Sequence, residues 1–500
     1  MKTTLFATVC ALLSATLLHA QGSALTAAAC ERLAASLKLP HTTVTSAQPV
    51  TTGEAMGEKN LPPFCRVSLT LAPSSDSDIK SEVWLPLSGW NGKLQTVGNG
   101  AWGGSIQYGA LALALRRGYA ASSTDTGHTG TDASFALGHP EKLIDFGYRS
   151  VHETAVQSKA TIAAAYGAPP RLSYFNGCSG GGRQAFMEAQ RFPDDFDAII
   201  AGAPGYNRTD QSFQLVAASN ATHMDEASFI PVAKLKVIHH GALNACDAKD
   251  GVKDGLIGDP MRCEFDPEVL ACKGADGPDC LTRPQVVAAK KIYAPVIDPR
   301  NGKQIFPGVE KGSEPRWTVN AGGARPMSMS DDLFKFVVFK DPKWDYHTLD
   351  VSKHLDMARK AGMGVLDATS PNIRPFIDRG GKLLIYHGWG DTNVPPRSSV
   401  VYFNQMVETM GAGPVASAVR MYMAPGMGHC GVGEGPNVFD TVTAIEQWRE
   451  HGKAPAEIIA SRIEDGRVVR TRPLCPFPQL AQYKGSGSTD QAENFVCKAP

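Results

Sequence analysis

The residues whose types and spacing carry the clearest chemistry are Ser179, Asp391 and His429, in that order along the chain. Ser179 sits in Gly177-Cys178-Ser179-Gly180-Gly181, a G-x-S-x-G stretch, between an apolar run ending at Asn176 and a helical pattern opening near Gly182. A resting serine hydroxyl is a weak nucleophile. It attacks an ester carbonyl when a histidine removes its proton, and an acid must hold that histidine in one tautomer. A sharp strand-to-helix turn exposes the hydroxyl, and flanking glycines let neighbouring backbone approach. With 50 glycines in the chain the motif alone also describes an ordinary turn, so the strand and helix around it carry the assignment. Asp391 follows the strand and turn Leu383 to Gly390, and His429 follows Val419 to Met423 through Ala424-Pro425-Gly426-Met427-Gly428. Both fall just beyond a strand end, where acid and base are needed. His128 and His387 also lie near strand ends and are the reserve candidates for the base, expected rather to pack or to touch substrate.

Charge that develops on the carbonyl oxygen needs preorganised donors. The Gly180 N–H is one by its position after the nucleophile, and the Gly100 amide is the favoured second, in Gly98-Asn99-Gly100-Ala101-Trp102-Gly103-Gly104 after Val97. That loop could instead cradle a phosphate, but no Lys-Ser/Thr pair follows it.

These positions demand a sheet with strands ending near one another. Ser81 to Leu85, Lys93 to Val97, Tyr119 to Ser123, Leu172 to Asn176 and Ile199 to Gly202 read as strands, with helices at His152 to Tyr166 and Gly182 to Arg191. Such alternation implies a mostly parallel sheet covered on both faces. After Pro204-Gly205 the chain turns rich in Gly, Pro, Asp and Cys, and alternation returns at Gly381. There Lys382 to Tyr386 and Val419 to Met423 read as strands, and Ser398 to Met410 and Phe439 to His451 as helices. The expectation is an α/β-hydrolase core discontinuous over 21–205 and 371–500, with an inserted lid domain at 206–370.

The composition is that of a globular protein: 43% hydrophobic, 20% charged, with Lys plus Arg equal to Asp plus Glu at 49 each. No basic field for nucleic acid is present. Met1 to Thr4, the apolar run Leu5 to Leu18 and Ala20-Gln21 have the layout of a cleavable secretory leader over residues 1–20, too short to span a membrane, and no later segment supplies a span. Of 11 cysteines Cys10 lies in this leader. The remaining Cys30, Cys65, Cys178, Cys246, Cys263, Cys272, Cys280, Cys430, Cys475 and Cys497 form an even set in an exported chain, which reads as disulfides, and no C-x-x-C pair favours zinc. A secreted or periplasmic protein is expected. Two glycosylation triplets, at Asn207 and Asn220, receive no function.

Cys246-Asp247-Ala248-Lys249-Asp250-Gly251-Val252-Lys253-Asp254-Gly255-Leu256 places three carboxylates at intervals of three and four. Such a loop can fold around one hard cation or remain an acidic, solvated turn, and its spacing is not that of an EF-hand.

The sequence resembles the tannase and feruloyl esterase family, which also includes hydrolases of mono(2-hydroxyethyl) terephthalate. The likeness rests on the pairs Cys178-Ser179 and His429-Cys430, on Asp391, and on the stretches Asp145 to Arg149, Phe196 to Pro204 and Tyr386 to Asp391. The resemblance implies that Cys178 and Cys430 are bonded to each other. It implies a structural calcium in the lid, held by Asp247, Asp250, Asp254 and the carbonyls of Val252 and Leu256. It further implies hydrolysis of carboxylic esters of aromatic acids, of feruloyl or galloyl type, with a terephthalate monoester as the alternative. The partner is then a small aromatic ester, with no nucleic acid and no membrane. A reading from another class is a calcium-stabilised binding protein on a dead hydrolase fold, against which the intact triad argues.

Overall fold

The computed structural model describes residues 25–500 except 320, 322, 324–328 and 363. The expected leader over 1–20, with cleavage near Gln21, lies outside them. Nine strands form one sheet, numbered along the chain as β1 Thr42–Val50, β2 Phe64–Leu71, β3 Ile79–Pro86, β4 Lys93–Val97, β5 Ala120–Thr124, β6 Leu172–Cys178, β7 Ala198–Gly202, β8 Lys382–Gly388 and β9 Val419–Ala424. Their order is β1-β2-β3-β5-β4-β6-β7-β8-β9. The first three and the β3–β5 pair run antiparallel, and every pairing from β5 to β9 is parallel.

The parallel strands read as unbroken apolar runs because both of their faces are buried. Phe175, Ile199, Ala201, Leu383, Ile385 and Met421 face helices Gly180–Arg191 and Arg397–Met410. Their sequence neighbours Tyr174, Ala198, Ile200, Leu384 and Tyr422 face helices Tyr108–Arg116 and Thr441–His451. This period of two assigns each strand residue to a layer.

Between Gly202 and Lys382 the chain leaves the sheet. It builds helices Arg208–His223, Val232–Cys246, Arg283–Tyr293 and Val351–Gly362, and two short strands, Val296–Ile297 and Gln304–Phe306. This segment has its own apolar clusters, one around Trp317 and Ile292 and one around Phe213 and Phe334. Cys246–Cys263 and Cys272–Cys280 staple it, and Arg397 of the core grips its Glu310 through two bonds of 2.7 and 2.8 Å. After the sheet, hairpin Ile458–Glu464 with Arg467–Leu474 and hairpin Leu480–Tyr483 with Phe495–Lys498 close the chain.

Strands expected from sequence recur with ends no more than two residues away, and Lys93–Val97 recurs with both ends unchanged. The antiparallel β1 and β2 were not anticipated: β1 is an edge strand of threonines and other polar residues, mostly exposed or half-buried, so the apolar signal is weak. The four longer helices of the inserted segment had no strand-like pattern to announce them.

Candidate active site

The strand β6 ends in Gly177-Cys178, and the next residue, Ser179, takes φ 65° and ψ −117° before the helix Gly180–Arg191 begins. A side-chain-bearing residue rarely occupies this conformation, and its cost is met by surrounding packing. The Ser179 N–H donates to Gly202 O at 2.9 Å, and the Ser179 carbonyl accepts from Arg183 N at 3.0 Å and Gly205 N at 3.2 Å. The turn is therefore fixed from three sides. Only glycine serves at 177, where a Cβ would lie 2.6 Å from the Gly181 carbonyl oxygen.

Beyond β8, Asp391 is wholly buried. Its Oδ1 accepts from the Asn393 and Val394 amides at 2.8 and 3.0 Å, and its Oδ2 meets His429 Nδ1 at 2.7 Å. The same Oδ2 meets His387 Nε2 at 3.1 Å. Burial would raise the Asp391 carboxyl, but the charges of and hydrogen bonds from the two histidines overcome this and hold it well below the usual carboxylate range. For His429, burial would lower the imidazolium, yet the charge of and hydrogen bond to Asp391 raise it above 6.5. With Nδ1 donating to Asp391, His429 keeps Nε2 to take up a proton.

Cys178 and Cys430 are joined, with Cα atoms 6.0 Å apart. Since Ser179 follows one and His429 precedes the other, this bond sets the nucleophile's turn against the base's loop. Cys430 itself has φ 56°, a second strained residue beside the site.

The glycine loop after β4 abuts the elbow: a Cβ on Gly180 would lie 3.1 Å from Asn99 O and 3.2 Å from Ala101 N. Gly180 opens its helix, so its N–H lacks an intrahelical partner. Gly100 is exposed at the loop's crest. His128 is engaged through both ring nitrogens, with the Trp102 carbonyl at 2.7 Å and Thr126 Oγ1 at 3.2 Å, and stacks on Phe135. It holds the glycine loop in place. His387 is fully buried and braces Asp391, while its Nδ1 meets Ser399 Oγ at 2.8 Å. Sequence reading did not foresee that one carboxylate serves two histidines, although the spacing His387-x-x-x-Asp391 was visible.

The acidic loop lies in the inserted segment, bracketed by Cys246–Cys263. Asp247 accepts from the Asp254 and Gly255 amides at 3.1 and 2.9 Å, and Asp250 from the Val252 and Gly258 amides at 3.2 and 3.0 Å. Asp254 is buried against Arg472 of the C-terminal hairpin. Burial first, and then the neighbouring Asp254 and Asp247, push the Asp250 carboxyl up to about 6. Among the described residues, the three metal-ligating side chains whose atoms meet within 4.8 Å are Cys272, Asp276 and Cys280, and those sulfurs are bonded to each other. The loop aspartates stand farther apart. Three acids with one arginine to balance them nonetheless fit a hard cation by charge and donor type.

A Ser, Asp, His set at the C-terminal ends of parallel strands, with the serine on a strained elbow, defines an α/β-hydrolase-type carboxylic-ester hydrolase. The family model described as tannase and feruloyl esterase matches residues 65–498, and the chain belongs to that family. It is 39% identical to an uncharacterized esterase of Xanthomonas campestris, over 94% of this chain and 91% of that one. It is 32% identical to a probable feruloyl esterase B-2 of Aspergillus terreus, over 87% and 86%. The crystal structure of feruloyl esterase B from Aspergillus oryzae superposes with a TM-score of 0.90 at 29% identity, over 94% of this chain and all of that one. A tannin acyl hydrolase from Aspergillus niger shares the fold, with a TM-score of 0.79 at 21% identity over 95% of each chain.

Proposed function

We propose that this chain hydrolyses esters of aromatic carboxylic acids through an acyl-enzyme on Ser179. The observation that carries the reading is the His429 Nδ1–Asp391 bond held beside the strained serine by Cys178–Cys430. His429 Nε2 takes the proton as Ser179 Oγ attacks the ester carbonyl, and returns it to the departing alcohol. A water deprotonated by the same nitrogen then releases the acid. Asp391 keeps the tautomer and stabilises the imidazolium. The Gly180 and Gly100 amides receive the oxyanion. The segment 206–370 forms the lid that encloses the acyl group. The relatives named feruloyl esterase support an aromatic acid of feruloyl type, and the galloyl type rests on the family resemblance.

Calcium in the lid loop would be held by Asp247, Asp250 and Asp254 with the carbonyls of Val252 and Leu256, and it would supply structural cohesion. Five disulfides support a secreted or periplasmic location. The test of the main reading is active-site labelling with a fluorophosphonate together with kcat/KM on methyl ferulate and methyl gallate. Labelling at Ser179 with turnover of either ester is expected. An unlabelled Ser179 in protein that is folded and turns over neither ester would overturn it.

A further inference from the structure

A cleft of about 650 Å³ opens on the face of the sheet that carries helices Tyr108–Arg116 and Thr441–His451, and Ser179, Asp391 and His429 are not among its walls. Its floor is formed by β4, β6 and β8, through Gln95, Asn176 and Tyr386. Register places Asn176 opposite Val97, and sets Cys178 and Tyr386 on either side of Gly202 in β7. A Cβ at Gly202 would lie 2.3 Å from the Tyr386 hydroxyl oxygen, so the bare glycine lets the phenol reach across β7 toward Cys178.

Two properties of this cleft point to a ligand. Gln95 is 4% exposed, yet its Oε1 has no hydrogen-bond partner, and a buried carbonyl left in that state is costly until a donor reaches it. Above this polar floor the rim is apolar: Leu113, Val438 and Ile459 are 64, 49 and 46% exposed. Large apolar side chains are ordinarily exposed singly, whereas three around one cleft make a patch of the kind that binding covers. The charged residues in the walls are Arg117 and Asp440, and they form an ion pair with each other. No net charge is left to receive an ion.

We propose that this cleft is a second, non-catalytic site for uncharged aromatic alcohols of one or two fused rings, the hydroxyl donating to Gln95 Oε1 and the ring covered by Leu113, Val438 and Ile459. Apolar walls around a few convergent polar groups are the ordinary form of a small-molecule site. Phe439, edge-on to Tyr386 with ring centres 5.2 Å apart, supplies an aromatic wall. A carboxylate is disfavoured, because it would lose water without gaining a counter-ion. The inference stands apart from the esterase reading, since it needs no group of the triad.

The experiment follows 2-naphthol binding by its fluorescence near neutral pH in the wild type, Ala110→Trp, Leu113→Ser and Gln95→Leu, with 2-naphthoate as the charged control. The wild type is expected to bind 2-naphthol saturably with a Kd of about 1 mM or below, the range open to a ligand of this size, and 2-naphthoate about tenfold more weakly. Ala110→Trp, whose indole would fill the cleft from its helix wall, should abolish binding, and Gln95→Leu should weaken it about fivefold, the scale of one hydrogen bond. Protein carrying the fluorophosphonate on Ser179 should bind as the untreated protein does. Loss of binding on labelling would place the probe in the catalytic pocket and overturn the proposal, as would 2-naphthoate binding equally well or Gln95→Leu binding unchanged. Should Ala110→Trp not fold, the exposed position decides: 2-naphthol affinity unaltered by Leu113→Ser would refute the site. A Ser179 that neither labels nor turns over ester strikes the esterase reading instead, and the cleft variants still decide this one.

Discussion

The parallel sheet and the segment inserted between β7 and β8 solve the problem of holding functional groups in opposite ways. The sheet places Ser179, Asp391 and His429 at the ends of buried, hydrogen-bonded strands, and it can carry strained backbone at Ser179 and Cys430 because packing over-determines those turns. The insert has helices of up to 16 residues but, among the described residues, only two strands, of two and three residues, and its apolar clusters are reinforced by two disulfides, the Glu310–Arg397 bridge and the acid loop docked on Arg472. The proposed chemistry therefore sits where the parallel strands end. The selectivity and cation dependence proposed above would sit in the segment whose apolar clusters are reinforced by cross-links.

That contrast can be broken experimentally, beginning with the elbow. Ser179→Ala should lower kcat on the order of 10⁶-fold with the melting temperature preserved, because the side chain that is lost supplies the bond-forming atom. Product release near the wild-type rate would end the case for the sheet as the seat of chemistry. Asp391→Asn should cost somewhat less, about 10⁴-fold, since the oxyanion donors remain. Its carboxylate also sustains the raised His429 pKa, so the residual activity should titrate at lower pH than the wild type; an identical profile would show that Asp391 does not tune the base.

The covalent tie between the two catalytic loops gives the next effect. Replacing Cys178 and Cys430 together by alanine should lower kcat on the order of a hundredfold in protein still folded at assay temperature, because a shift of about 1 Å between reacting groups has that cost. Peptide mapping without reductant should recover the two residues as one linked pair, and a free thiol at either in active enzyme would contradict this.

The pH dependence sharpens the comparison further. His429 must be neutral to act, so kcat/KM should fall about tenfold per pH unit below its pKa, which lies above 6.5. Stability runs the other way for the same group. A raised folded pKa contributes stability that is complete below about 6.5 and is lost as pH rises through the folded value. The depressed Asp391 contributes stability above about 4 that is lost as pH falls through its low folded value. An activity limb centred below 6.5 would refute the coupling.

The smallest effect is expected from the insert. Chelation, or Asp250→Ala without chelator, should lower the melting temperature by roughly 3 to 8 °C before the rate on a small ester changes, as a cation that binds only the folded loop would require. No change in either experiment would remove calcium from the account and leave an acidic turn stabilised by its own amides.

The amino-acid sequence by itself determined the parallel core and the likeness to the tannase and feruloyl esterase family. Apolar runs with glycine and polar punctuation at their ends specify strands buried on both faces, and Ser179, Asp391 and His429 each stand directly beyond such a run. Local pattern fails where local pattern is weak. The edge strand β1 and the insert's helices are stabilised by partners distant in the chain. Tertiary structure alone decided that Asp391 binds His387 as well as His429, that His128 anchors the Trp102 carbonyl, and that Arg208 rests on Trp102 with its Nε unpaired. Each of these depends on which side chains share one buried volume, and burial turns an unremarkable arginine or histidine into a costly or a tuned one. No spacing along a chain encodes that directly, because the dielectric and the partners around a group exist only once the layers have packed.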